Sequence, residues 1–303
     1  MPVNFTIKTP ENFSFEHTLL SHGWYDLAPF GRSGSTKLSM VLRRGKAGKP
    51  IEVNVRGTVK AIKVSIDADN ADNVDREGVI RDIRHIFRLD EEFEGFYEAI
   101  EECSAVGWAA DVKAGRLLRG PNVFEDLVKT LCTTNCSWAL TRIMVNNLVD
   151  ELGDATANGK KAFPTAQAMA TADESFYRQI IRSGYRAPFF VELAERVSSG
   201  ELDPEKWLES ELSTPDLKKG IKKVKGIGDY AADNLLKLLG RYDCLALDSW
   251  VRGGFYKKHN KGRKCADKKI EKHYKNFGEW RGLAIWCDMT EDWFFGEGRR
   301  NDK

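Results

Sequence analysis

Residues 214–252 hold the residue types and spacings best suited to chemistry. Thr214-Pro215-Asp216 opens a helix with a cap residue and then proline at the first helical position. Leu217, Ile221 and Val224 stripe that helix at i, i+4 and i+7. The pattern breaks at Lys225-Gly226-Ile227-Gly228-Asp229, and a second helix runs from Tyr230 through Leu239 to Gly240. Two short helices joined in this way make a helix-hairpin-helix over 215–240. Its glycines permit a tight turn and let backbone N–H groups approach another molecule closely. Amides at a helix N-terminus suit a phosphate oxygen, although an ordinary turn between helices would use the same glycines for geometry alone. Twenty residues beyond Gly228, the run Leu245-Ala246-Leu247-Asp248-Ser249-Trp250-Val251-Arg252 ends an apolar stretch on a single acid. Asp248 suits a helix N-cap, and a capping aspartate can also act as a catalytic carboxylate.

The charges around this motif narrow the partner. Net charge is only +2, which selects nothing. Its distribution is uneven: Lys218, Lys219, Lys222, Lys223 and Lys225 crowd one stretch. Lys257, Lys258, Lys261, Arg263, Lys264, Lys268, Lys269, Lys272 and Lys275 crowd another. Each run alone reads as a solvated helix face. Two runs flanking one hairpin favour a polyanion, because clustered positive charge releases counterions at phosphates. Of the six cysteines only Cys132 and Cys136 are close, and no second pair stands at zinc or iron–sulfur spacing. Reduced, mostly buried thiols are expected, and no metal ligands. His17, His22, His85, His259 and His273 fit no motif. No run of about 18 apolar residues exists to span a membrane, and the first residues lack a secretory layout. At 42% apolar and 30% charged residues, the expectation is a soluble globular protein, cytoplasmic in a prokaryote or nuclear in a eukaryote.

Two regimes of structure must position these groups. Between about residues 36 and 66 lie short β-forming runs: Leu38–Leu42, Ile51–Val55 and Val59–Ile66, the last alternating apolar and polar. Asp67–Asp72 is acidic and reads as a turn. After about residue 76 the chain is helical. Phe124, Leu127, Val128 and Leu131 form one stripe behind an Asn122 cap, with further helices near 173–183, 188–199, 205–212, 215–224, 229–239 and 266–276. The predicted fold is mainly α, with a small α+β antiparallel-sheet domain over 1–75 and an all-α domain over 76–303.

The block from Val224 to Asp233, followed by Leu247-Asp248, resembles the helix-hairpin-helix/Gly-Pro-Asp superfamily of base-excision DNA glycosylases. Arg116-Leu117-Leu118-Arg119, Leu131-Cys132-Thr133-Thr134-Asn135-Cys136-Ser137-Trp138 and Gly184-Tyr185-Arg186-Ala187 are similar to its 8-oxoguanine branch. The order of strands and then a helical domain with a late hairpin is shared with the bacterial 3-methyladenine glycosylases as well. The resemblance covers roughly residues 80–290.

It implies a role for each matched residue. Asp248 takes the place of the catalytic aspartate, which stabilises positive charge on the deoxyribose and orients a water. Asn135 stands where a residue fills the gap left by the flipped base. Tyr185 and Arg186 stand where the orphaned partner base is wedged and hydrogen-bonded. Gly226, Gly228 and Lys225 belong to the phosphate-binding turn. The turn's carbonyls imply a structural monovalent cation, K+ or Na+, and no other cofactor. Double-stranded DNA is the implied partner and a monomer the implied state, with no membrane partner.

Departures from the family pattern are equally informative. Bifunctional members carry a Schiff-base lysine two residues after the second hairpin glycine, where this chain has Tyr230. An aromatic there lines the base pocket in the 3-methyladenine branch. The run Gly282–Cys287 offers no glutamine of the kind that reads 8-oxoguanine. Trp138 and Trp286 are candidates for the pocket beside Tyr230, while Trp24 and Trp250 stack there or belong to the core. The expectation is a monofunctional glycosylase that leaves an abasic site, with N-alkylated purines first, deaminated bases second and oxidised guanine third. A catalytically silent DNA-binding module and a thiol enzyme are the alternatives.

Overall fold

The computed structural model describes residues 2–44, 48–66 and 75–295. Five strands come first: β1 (Val3–Lys8), β2 (Gly31–Ser33), β3 (Lys37–Arg44), β4 (Lys49–Gly57) and β5 (Ala61–Ile66). They form one antiparallel sheet in the order β1-β5-β4-β3-β2, with Val3 opposite Ile66 and Val53 also opposite Ile66. Ile62, Val64 and Ile66 are buried while Lys63 is exposed, as alternation requires. The expected strands are present. β1 and β2 were not expected, although Val3-Asn4-Phe5-Thr6-Ile7-Lys8 alternates just as well. The expected turn at Asp67–Asp72 lies outside the described residues.

Helices occupy the rest, beginning with Arg76–Ile86 behind an Asp75 cap. Asn122 caps Val123–Thr133 through the Glu125 N–H at 2.8 Å. Trp138–Leu152, Glu174–Gln179, Ala187–Ser198, Asp267–Tyr274 and Arg281–Phe295 follow. One expected helix is absent: 205–212 forms only a 3₁₀ turn, Pro204–Trp207. The Glu205 carboxylate accepts the Val123 and Phe124 N–H groups at 2.9 Å, which ties this turn to the start of another helix.

Sheet and helices share one core rather than two. Phe15, from the short helix Phe15–Leu19 within the sheet region, stacks on Phe87 of the helical region at 4.8 Å between centroids. Trp24 is buried and donates to Asp126 at 2.6 Å, which places it in the core. The His22 ring donates to the Leu118 carbonyl at 2.6 Å. Burial pushes the His22 pKa down to about 3, so the ring is neutral and Nε2 carries its proton. A buried ionic network, Arg88 and Arg119 on Glu91, locks this core to the hairpin: Arg88 donates to the Lys237 and Leu238 carbonyls at 3.3 and 3.0 Å. Those are terminal carbonyls of the second hairpin helix, which such donors satisfy. Among the described residues, no helix is long and apolar enough to cross a membrane.

Candidate active site

The hairpin forms as Thr214–Ile221 and Asp229–Leu238. Its cap is Ser213 rather than Thr214, accepting from the Asp216 N–H at 3.3 Å, so Pro215 falls at the second helical position. The second helix ends in a Schellman motif: Arg241 N–H reaches the Leu236 carbonyl at 2.8 Å and Gly240 the Lys237 carbonyl at 3.1 Å. The two turn glycines differ in kind. Gly226 has φ +86°, and a Cβ there would sit 2.6 Å from both Leu131 and Phe189. Gly228 has an ordinary φ of −87°, no side chain caps its helix end, and a Cβ would meet nothing within 4 Å. The first glycine is therefore required by the fold, whereas the second keeps an N-terminus open on its outer side.

The lysines around the turn are more neutralised than the sequence suggests. Lys222 pairs with Asp229 at 2.9 Å, Lys218 with Asp233 at 2.6 Å, Lys219 with Asp216 at 2.8 Å and Lys225 with Glu192 at 2.5 Å. Lys225 stays largely exposed, and such surface pairs are worth at most about 1 kcal/mol, so a phosphate can compete for them.

Asp248 caps the helix Ser249–His259, accepting the Val251 N–H at 2.6 Å, and it is half-buried. Tyr230 faces it from the second hairpin helix. Burial raises the Tyr230 pKa most, followed by the charge and hydrogen-bond acceptance of the Asp248 carboxylate. The phenol thus stays protonated beside the acid. Trp250, two residues beyond Asp248, meets Trp286 and Trp293 with centroids 5.8 and 5.5 Å away. Trp286 anchors on the Ser21 carbonyl at 2.9 Å. Trp138 is held elsewhere on the same segment, packed on Gly23 and donating to Asp26 at 2.9 Å. Trp286 therefore joins a tryptophan cluster beside Asp248, and Trp138 makes no ring contact with it among the described residues.

Residues fifty apart in sequence meet on a second part of the surface. Asn135 adopts a left-handed φ of +46° between two helices and donates to the Tyr185 hydroxyl at 3.3 Å. Tyr185 is exposed and lies over Arg186, whose guanidinium carbon is 4.5 Å from the ring centroid. Arg186 is buried, with Nε on the Thr134 hydroxyl at 3.0 Å and one terminal nitrogen without a partner. Phe189 links this group to the hairpin, touching Tyr185 edge-on and backing Gly226.

Sequence reasoning missed two features. Lys237 lies on the Tyr230 face of its helix, seven residues on, and is only 2% exposed. Its ammonium sits 4.8 Å from the Trp286 ring centroid. A lysine aligned at i+7 with a pocket aromatic was the available signal. The histidines, too, have a place: His259, His273 and Asp288 present ligand atoms within 4.8 Å of one another. Asp288 is fully buried and already bound by His259 at 2.6 Å, by Lys258 at 3.0 Å and by the Tyr274 hydroxyl. That set reads as an anchor for the C-terminal helix. All six cysteines are free thiols.

The fold, a small antiparallel sheet followed by helices, is shared with solved DNA glycosylases. A probable N-glycosylase/DNA lyase of Methanothermobacter thermautotrophicus is 24% identical over 279 residues, covering 84% of each chain. The 3-methyladenine DNA glycosylase of Archaeoglobus fulgidus superposes with a TM-score of 0.76 at 18% identity, over 96% of this chain and 99% of that one. The 8-oxoguanine glycosylase/lyase of Clostridium acetobutylicum, bound to double-stranded DNA with cytosine opposite 8-oxoguanine, gives 0.75 at 18% identity, over 96% and 97%. No family model matches the sequence.

Proposed function

We propose that this protein is a monofunctional DNA glycosylase that extrudes a damaged base from double-stranded DNA and hydrolyses its N-glycosidic bond. The observation that carries the reading is the meeting of Asp248, at a capped helix end, with Tyr230 of the hairpin. The glycosylase relatives and neighbours support the class, and DNA in the Clostridium structure supports the partner.

Chemistry follows from the placement. The bond from C1′ to the base nitrogen breaks with its electron pair going to the base. The ionised Asp248 carboxylate stabilises the positive charge that builds on the sugar. Water then bonds to C1′ and gives up a proton to the carboxylate; a base that departs as an anion gains a proton from solvent, whereas a cationic N-alkylated base departs neutral. The product is an intact strand with an abasic site. The Methanothermobacter relative is named a lyase as well. Strand cleavage through an imine needs an amine, and Tyr230, standing where bifunctional members carry lysine, has none.

Asn135 fills the space vacated by the base, Tyr185 wedges beside it, and the unpartnered nitrogen of Arg186 donates to the orphaned base. The Gly228 end of the hairpin takes a phosphate, with Lys225 beside it, and the turn's carbonyls would hold a K+ or Na+ ion. Stacking on Tyr230 and Trp286 alone would favour N-alkylated purines, then deaminated and oxidised bases, whereas the charge on Lys237 acts against that order.

The test is Asp248→Asn, which keeps the cap and removes the charge. Single-turnover base release should fall on the order of a hundredfold or more with lesion-duplex binding retained. Release at near the wild-type rate would assign Asp248 a purely structural role and sink the mechanism.

A further inference from the structure

The second hairpin helix presents Tyr230, Asn234 and Lys237 at i, i+4 and i+7, one face over two turns. At one end of this face Tyr230 meets Asp248. At the other, Lys237 is only 2% exposed as a residue, and among the described residues its ammonium has no ion pair and no hydrogen-bond acceptor. The indole face of Trp286 meets it with a centroid 4.8 Å away, while the Asp233 and Asp248 carboxylates act on its charge from beyond ion-pair distance. A lysine in the last turn of a helix ordinarily extends into solvent and gains from the helix dipole. This one instead turns inward, towards the indole that stands beside Trp250 and Asp248. A buried cation without a partner is costly and calls for an acceptor.

Resting on the glycosylase reading, we propose that Lys237 sets the substrate class of this site: it donates to an exocyclic carbonyl of the flipped base, selecting neutral deaminated or oxidised bases over cationic N-alkylated purines.

Leaving-group electrostatics support the choice. A neutral base departs carrying the electron pair of the broken bond, so negative charge develops on it. An ammonium at its carbonyl oxygen stabilises that charge more in the transition state than in the ground state. An N-alkylated purine nucleotide is already a cation and leaves as a neutral base. For it the ammonium supplies ground-state repulsion and no help in leaving. Normal guanine and thymine also carry carbonyls, but their intact pairs resist extrusion.

The groups facing the ammonium are Asp233 on its own helix, Cys244 and Asp248 from the loop that follows, Cys287 on the C-terminal helix and neutral His22 from the N-terminal segment. Burial dominates among them and lowers the Lys237 pKa to about 8. The ammonium is therefore charged below pH 8 and loses its proton above it.

The experiment compares the full-length wild-type protein with Lys237→Met on duplexes carrying uracil, hypoxanthine, 8-oxoguanine, 3-methyladenine or 7-methylguanine, each scored for single-turnover base release. Wild type should release at least one carbonyl base faster than either methylated purine. Its rate on that base should fall as pH rises through about 8. Lys237→Met should lose roughly tenfold to a hundredfold on the carbonyl base, the range for a hydrogen bond from a charged group. It should keep or gain rate on the methylated purines, and show no inflection near pH 8. Because Met removes a buried unpaired charge at similar volume, the variant should melt no lower than wild type. Methylated purines as the best wild-type substrates, or an unchanged ratio in Lys237→Met, would overturn the assignment while leaving the glycosylase reading intact. Release of no base by either protein would remove that reading and this one together.

Discussion

Arg186 illustrates what single residues contribute. Its Nε holds the Thr134 hydroxyl, another nitrogen reaches the Ser183 carbonyl at 3.4 Å, and one nitrogen stays buried without a partner. A fork held on two sides and open on the third can present a donor in a fixed direction, which a lysine cannot. Arg186→Lys should therefore narrow any preference for the base opposite the lesion by roughly tenfold or more, a hydrogen bond from a charged group being worth about 1.5–3 kcal/mol. Rates measured with the lesion opposite each of the four bases check this, and an unchanged preference would free Arg186 of the role. The family resemblance singles out Asp248, Tyr230, Asn135, Tyr185 and Arg186, and the fold brings Asp248 to Tyr230 and Asn135 to Tyr185 and Arg186. Lys237 was not legible in the sequence, since its burial depends on Trp286, which lies far along the chain on the C-terminal helix. Trp138 carried the right residue type, but its hydrogen bond to Asp26 seats it apart from the tryptophan cluster.

At the scale of elements, the hairpin glycines separate folding from binding. Gly226→Ala would force a left-handed φ on alanine and press its methyl into Leu131 and Phe189. About 1 kcal/mol of backbone strain and about 1–3 kcal/mol of overpacking should lower stability by roughly 2–4 kcal/mol, measurable by urea unfolding. Gly228→Ala meets no neighbour and should stay within about 0.5 kcal/mol of wild type. Its methyl would instead stand in the path of a phosphate and weaken duplex binding. Equal stability losses at both sites would contradict this division. Helix positions were legible from their stripes and caps, as Asn122 and Asp248 demonstrate. The segment 205–212 forms only a turn, and the partners that Glu205 holds there, the Val123 and Phe124 N–H groups, lie outside any local window.

Over the whole molecule, the sheet and helices behave as one body because Phe15, His22 and Trp24 cross between them. Alternation and helical period reveal both regimes, but only packing shows that they share a core. The lysine clusters were legible as charge, and their acidic partners only in three dimensions. What this body does is decided by its products. Wild-type protein should be incubated with duplexes that each carry one lesion, with borohydride present or absent and with alkali added or omitted before strand analysis. The account predicts free base from at least one duplex, nicks only after alkali, and no covalent protein–DNA adduct. A borohydride-dependent adduct abolished by changing one lysine would contradict water as the nucleophile, and no free base from any duplex would contradict the glycosylase itself.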